Sequence, residues 1–275
     1  MFDFFIFSSL FIAGCAVLMV HQVSNLFHLQ YNFASYMGFV FFSTICSYNF
    51  HWYLTPHTVS ENRRTLWTQQ HKSVHLLLII LSFVGASLFF LPLMEYWIWI
   101  GISVFLTFLY SAPKLPFKPA YFLQKIAVGK TIFLALVWMY VTSILPIILS
   151  GEIWGAKQIL FCVGRFFFIY AICIIFDLRD REQDRRDGIR SMITFFNDKG
   201  INALFYSSLF VYSIVTISLY NYGISVLVIV VLLLPAFIVT ALYRYTKRNF
   251  SDYLYYFLLD GMMALSALLT SFIPF

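Results

Sequence analysis

The stretch Asp177-Leu-Arg-Asp180-Arg-Glu-Gln-Asp184 sets three carboxylates at i, i+3 and i+7 in a chain that is otherwise very apolar. Read as a helix, that spacing puts all three on one face. Like charges so placed repel, by about 0.2–0.5 kcal/mol per pair. A divalent cation reverses the sign. Mg²⁺ takes hard carboxylate oxygens and usually keeps substrate phosphates as further ligands. The bland alternative is a solvated loop cap, neutralised by Arg179, Arg181, Arg185 and Arg186. Six of the chain's twelve acidic residues fall between Asp177 and Asp198, directly after the apolar run that ends at Phe176. So many acids at the end of an apolar run favour a site at a membrane boundary over a plain loop.

The elements that position these residues follow from composition. The chain is 61% hydrophobic, 21% aromatic and 11% charged, with a mean hydropathy of +0.83. A soluble domain is nearer half apolar and a quarter charged. A spanning helix needs about 20 mostly apolar residues. Nine candidates are visible: 4–20, 33–54, 74–94, 96–110, 126–149, 158–176, 203–220, 224–243 and 253–272. Backbone polar groups in lipid need internal partners, so these spans are helices. A β-barrel would show short alternating segments instead. The expectation is an all-α polytopic membrane protein, with residues 1–275 as one integral membrane domain.

Sixteen of the eighteen Lys and Arg residues fall in the even-numbered loops; Lys157 and Arg165 are left over. The positive-inside rule then puts the N-terminus and the even loops in the cytoplasm and the C-terminus outside. Met1-Phe-Asp-Phe-Phe has no basic start, so the first span reads as retained rather than as a signal peptide. Nucleic-acid binding fits poorly, because the basic residues are spread over four short loops. The four cysteines, Cys15, Cys46, Cys162 and Cys173, all lie within spans without CxxC spacing and read as packing residues.

At the acid stretch the chain resembles the UbiA superfamily of intramembrane prenyltransferases. The family's second Asp-rich motif, after the sixth helix, reads DxxDxxxD followed by Gly, Ile or Val, a basic residue and Ser or Thr. Here it stands as Asp177, Asp180, Asp184, Gly188, Ile189, Arg190 and Ser191. Tyr110-Ser111-Ala-Pro113 with Lys118 resembles the family's loop between helices 4 and 5. Glu61-Asn62-Arg63-Arg64 resembles the basic stretch after the first motif. The first motif itself departs: Asn49 is present, but Tyr53 and His57 stand where two carboxylates belong, and Pro56 disfavours helix at Thr55.

The resemblance implies nine helices, a site on the cytoplasmic side and, here, a bacterial inner (plasma) membrane. It implies Mg²⁺ held on a polyprenyl diphosphate, with an acceptor the sequence does not name. Asp177, Asp180 and Asp184 would hold the metal. Asn49, Tyr53, His57, Arg63, Arg64, Tyr110, Lys118, Arg190 and Asp260 are the candidate substrate contacts. The cations among them also have a plain reading as topology signals. Asn49 reads equally well as a ligand or as an interhelical hydrogen-bonding residue. Asp260, two turns into the last span, reads as functional or as one half of a structural ion pair with a cation such as Arg244. His71 and His75 at i, i+4 could share a metal, but have no flanking carboxylate beyond Glu61.

Two functional classes follow. The first is a Mg²⁺-dependent transferase of isoprenoid groups working in the bilayer. The second is a non-catalytic protein of the same type that binds an isoprenoid or lipid, or supports a membrane complex. A transporter is less favoured, because no pair of broken helices occupies matching positions.

Overall fold

The computed structural model describes residues 1–55, 62–111, 130–186 and 196–273, and their side chains except at 109–111, 130 and 182–186. Every regular element among them is helical. In chain order these are α1 (Phe2–Phe7), α2 (Leu10–Leu26), α3 (Phe33–Tyr53), α4 (Arg63–Gln70), α5 (Lys72–Phe90) and α6 (Trp97–Ser111). There follow α7 (Lys130–Met139), α8 (Leu145–Ser150), α9 (Ala156–Arg186), α10 (Asp198–Ser218), α11 (Val226–Thr246) and α12 (Asp260–Thr270).

Among the described residues, five helical stretches are long and apolar enough to cross a membrane: Lys72–Phe108, Thr131–Ser150, Ala156–Arg181, Asp198–Tyr222 and Val226–Thr246. Leu10–Leu26 and Leu254–Thr270 are apolar but shorter. The count of nine spans is therefore not confirmed among the described residues. The expected third and fourth spans run together through a tight 3-10 turn, Leu91–Tyr96, with Pro92 in its first turn.

The expected first span is broken near its start. Ser9 sits at φ 68°, which ends α1, and α2 then begins at Leu10. A break inside an apolar segment frees backbone groups that need partners. The freed Ser8 carbonyl receives the Asn49 Nδ2 of α3 at 2.9 Å. Two π-helical turns interrupt other helices. Tyr140–Ile144 joins α7 to α8, and Leu254–Leu259 leads directly into α12.

The bundle is held by α9, which packs against α7 and α10, by α3 along α5, and by α2 against α3 and α12. The core runs through Met19, Tyr36, Leu145, Ile169, Ile172, Phe205 and Tyr255, all nearly inaccessible. Exposed apolar side chains such as Leu77, Phe83, Phe105, Phe210 and Phe237 cover the outside. An apolar shell of that extent fits lipid rather than water.

Candidate functional site

Helix α9 runs without interruption to Arg186, so Asp177, Asp180 and Asp184 do share one helical face. Asp177 is buried, and its carboxylate accepts the Thr131 hydroxyl of α7. Asp180, one turn on, has a side chain 38% exposed and accepts Arg179 Nε at 3.0 Å. The backbone of α9 carries Asp184 one further turn along, with its side chain outside the described part.

Two arginines converge beside this face, Arg64 buried and Arg179 with a side chain 9% exposed. Arg179 donates Nη2 to the Tyr256 hydroxyl at 2.5 Å and holds Nη1 3.6 Å from Asp252. Its guanidinium lies 4.7 Å from the Tyr255 ring and 4.8 Å from that of Tyr256. Arg64, on α4, lies 4.2 Å from the Trp52 ring and 4.3 Å from that of Tyr256, the ring Arg179 also meets. Such cation–π contacts offset part of the cost of desolvating a guanidinium. Burial pulls the Arg64 guanidinium below its ordinary pKa, while Tyr256 and the Asp260 and Asp252 carboxylates act in the opposite direction. The Nε of Arg64 is buried with no hydrogen-bond partner among the described residues.

Asp252 joins the two arginines. One carboxylate oxygen accepts the backbone N–H of Arg64 at 2.8 Å, and the other faces Arg179. Asp260 lies deeper and half-buried, within electrostatic reach of Arg64 and Arg179 but outside a 4 Å ion pair among the described residues. Its cations are thus Arg64 and Arg179, where the sequence had suggested one such as Arg244.

Other sequence candidates lie differently. Asn49 is fully buried: Nδ2 donates to the carbonyls of Ser8 and Ile45, and Oδ1 accepts His75 Nδ1 at 2.6 Å. Its interhelical role is the one the hydrogen bonds describe. Tyr53 is at the exposed end of α3, with Lys72 Nζ 5.9 Å from its ring. Arg63 is turned to Asp3 of α1 at 2.6 Å. His71 Nδ1 donates to the Trp67 carbonyl at 2.9 Å and His75 Nδ1 to Asn49, so each ring commits one nitrogen to a separate partner. Tyr110 lies near the end of α6, its side chain outside the described part; His57, Lys118 and Arg190 lie outside the described residues. The four cysteines are free, as their placement within spans suggested.

Sequence reading missed Thr131, Asp252 and Tyr256, and took Arg179 only as a neutralising neighbour. Asp252 alone carried a signal, as an acid at the mouth of an apolar span. Arg179 and Arg181 do neutralise acids, Asp180 and Asp198 respectively. The bland reading of the stretch is therefore partly realised within the site.

The donor set of the face is hard oxygen, with Asp177 and Asp180 one turn apart, and such ligands fit Mg²⁺. Among the described residues no three His, Cys, Asp or Glu side chains are grouped to hold an ion by themselves. Two carboxylates with a phosphate are the usual way such an ion is completed.

No curated protein and no solved structure matches the chain. A family model, the UbiA prenyltransferase family, matches residues 61–259. That stretch begins after the departing first motif and contains the acid face of α9, Arg64, Arg179 and Asp252. Since it covers well over half of the chain, this integral membrane protein belongs to the UbiA prenyltransferase family.

Proposed function

We propose that this protein transfers an isoprenoid group from a polyprenyl diphosphate to an acceptor, within the bilayer and at the basic end of the bundle. We assign that end to the cytoplasm of a bacterial inner membrane, from the distribution of Lys and Arg. The observation that carries the reading is the acid face of α9 set beside Arg64 and Arg179, which share Tyr256.

Asp177, Asp180 and Asp184 would hold a Mg²⁺ ion, which offsets negative charge on the departing diphosphate. Thr131 fixes the rotamer of Asp177, so that one ligand is oriented before substrate arrives. Asp180 carries its carboxylate at the accessible edge, where phosphate oxygens can approach. Asp252 and Tyr256 orient Arg179, and the unused Nε of Arg64 is a donor held ready near the same place. Charge arranged in advance stabilises a leaving anion without reorganisation cost. With Tyr53 and His57 in place of two carboxylates, basic side chains take over the charge that a second ion would carry. Lys118 and Arg190 belong to the same cation set.

The test is purified full-length protein in detergent, with Mg²⁺ and labelled polyprenyl diphosphates of several lengths. Diphosphate release that requires Mg²⁺ and fails in Asp180→Asn supports the reading. Mg²⁺-dependent binding with no release under any acceptor would make the protein a binder and overturn catalysis. Reporter fusions after Arg64 and after Phe275 test the orientation, expected inside and outside respectively.

A further inference from the structure

A second concave site lies on other helices, where α10 begins and α11 ends. It encloses about 620 Å³, and Asn202, Tyr206, Tyr243, Arg244, Lys247 and Arg248 contribute to its wall. Its described lining holds three cations and no carboxylate. The wall is fixed rather than loose. Tyr243 is buried, stacks on Phe205 at 3.8 Å between centroids, and donates its hydroxyl to Asn202 Oδ1 at 2.9 Å. Lys247 donates to the same Asn202 oxygen and sits 4.4 Å from the Tyr243 ring. The side chains of Arg244 and Arg248 are exposed and have no hydrogen-bond or ion-pair partner among the described residues. Asp198, whose carboxylate acts on Lys247 from nearby, is itself paired with Arg181 at 2.6 Å.

The surface that leads away from this pocket is apolar. On α11 the exposed residues Val230, Leu234 and Phe237 continue through Ala241 to Arg244 at alternating spacings of four and three, forming one stripe along the helix. Tyr206, Tyr245 and Phe250 are exposed around its basic end, where amphipathic rings suit a headgroup layer. A ligand that satisfies both parts carries an anionic phosphate on an apolar tail. Basic pockets between membrane helices recognise phospholipid headgroups in this way.

The geometry points to a binding site for one anionic phospholipid, its headgroup phosphate between Arg244, Lys247 and Arg248 and its acyl chain along the α11 stripe. Half-burial costs the Lys247 ammonium solvation, and burial pulls its pKa down. A phosphate seated there would offset that cost. The arginines add bidentate donors that Asn202 does not occupy.

The test uses full-length protein in nanodiscs of phosphatidylcholine and phosphatidylglycerol in equal amounts, with retained lipid read by mass spectrometry after extraction into detergent. Wild type should retain phosphatidylglycerol in preference to phosphatidylcholine. Arg244→Ala with Arg248→Ala should weaken that retention about 25-fold, fivefold for each cation removed. Arg244→Lys with Arg248→Lys should keep most of it. Added inorganic phosphate should not displace the lipid, whereas raised sodium chloride should weaken its retention in wild type. Equal retention of the two lipids, a double alanine variant that retains phosphatidylglycerol unchanged, displacement by inorganic phosphate, or indifference to salt would each overturn the assignment.

Discussion

Arg165 and Arg179 lie on the same helix, fourteen residues or about 21 Å apart along α9. Both arginines are largely withdrawn from the surface of a membrane protein, yet their surroundings differ in kind. Arg165 meets only neutral acceptors: the carbonyls of Met19 and Thr142 at 2.9 and 2.8 Å, and Gln22 Oε1 at 2.5 Å. Gln22 is held in turn by the hydroxyls of Ser266 and Thr270. No carboxylate lies within 4 Å of Arg165 among the described residues. Arg179 meets Asp180, Asp252 and a tyrosine hydroxyl, with the buried Arg64 against the same tyrosine ring.

The difference separates two uses of one side chain. A guanidinium bound to carbonyls and an amide ties several helices together and leaves no carboxylate to attract an ion. Arg179 instead lies among acids that could release it to a phosphate. Arg165 is thus a tie between helices, and Arg179 belongs to the proposed site.

Four experiments would break or sharpen that contrast. The largest effect is expected for Asp180→Asn, which removes one ligand of the proposed ion. Diphosphate release should fall by about 10²–10³-fold with thermal stability unchanged; a variant with full turnover would detach the acid face from function. Next is Arg165→Ala, which strips hydrogen bonds from two carbonyls and Gln22. Unfolding in detergent should become easier by about 3 kcal/mol, while protein that remains folded still binds diphosphate. An Arg165→Ala variant that is stable but inactive would reverse the two roles.

A smaller change is expected for Arg179→Lys. An ammonium keeps the charge but loses the planar fork that reaches Asp180, Tyr256 and Asp252 together. Turnover should drop by roughly tenfold, about 1.4 kcal/mol, with binding of Mg²⁺ retained. The smallest effect concerns Asp3, which accepts from Tyr253 and from Arg63 and fastens α1 to α4. The Tyr253 hydroxyl, followed by Arg63, holds its carboxyl below the ordinary value of 3.8. A carboxyl depressed in the folded state stabilises above its unfolded pKa, and that contribution is lost as pH falls through the lower, folded value. The contribution should be below about 1 kcal/mol. It should be absent in Asp3→Asn, as read by unfolding midpoints between neutral pH and pH below 3.8.

What was legible in the sequence was the contrast of charge against an apolar background. The helices and the acid face of α9 both rest on local spacing, and local spacing is what a sequence displays. The partners of that face were hidden because they come from far along the chain. Arg64 and Asp252 are 188 residues apart and meet through a backbone N–H, which no residue type advertises. Asn49 was ambiguous for a related reason. Its partner is a carbonyl freed by the break at Ser8 and Ser9, and two serines give little warning of such a break. Arg165 was visible only as an outlier in the distribution of basic residues, with nothing to say that Gln22 would meet it.

The π-helical turn Leu254–Leu259 sets the rotational phase of everything after it. Were the segment to relax to ordinary α-helix while keeping all its residues, the rest would turn by about 100°. Asp260 would swing away from Arg64 and Arg179, and in the same motion Ser266 and Thr270 would leave Gln22. A single extra residue in the last helix therefore acts as a shared key, aligning the ionic end of the molecule and its neutral tie together.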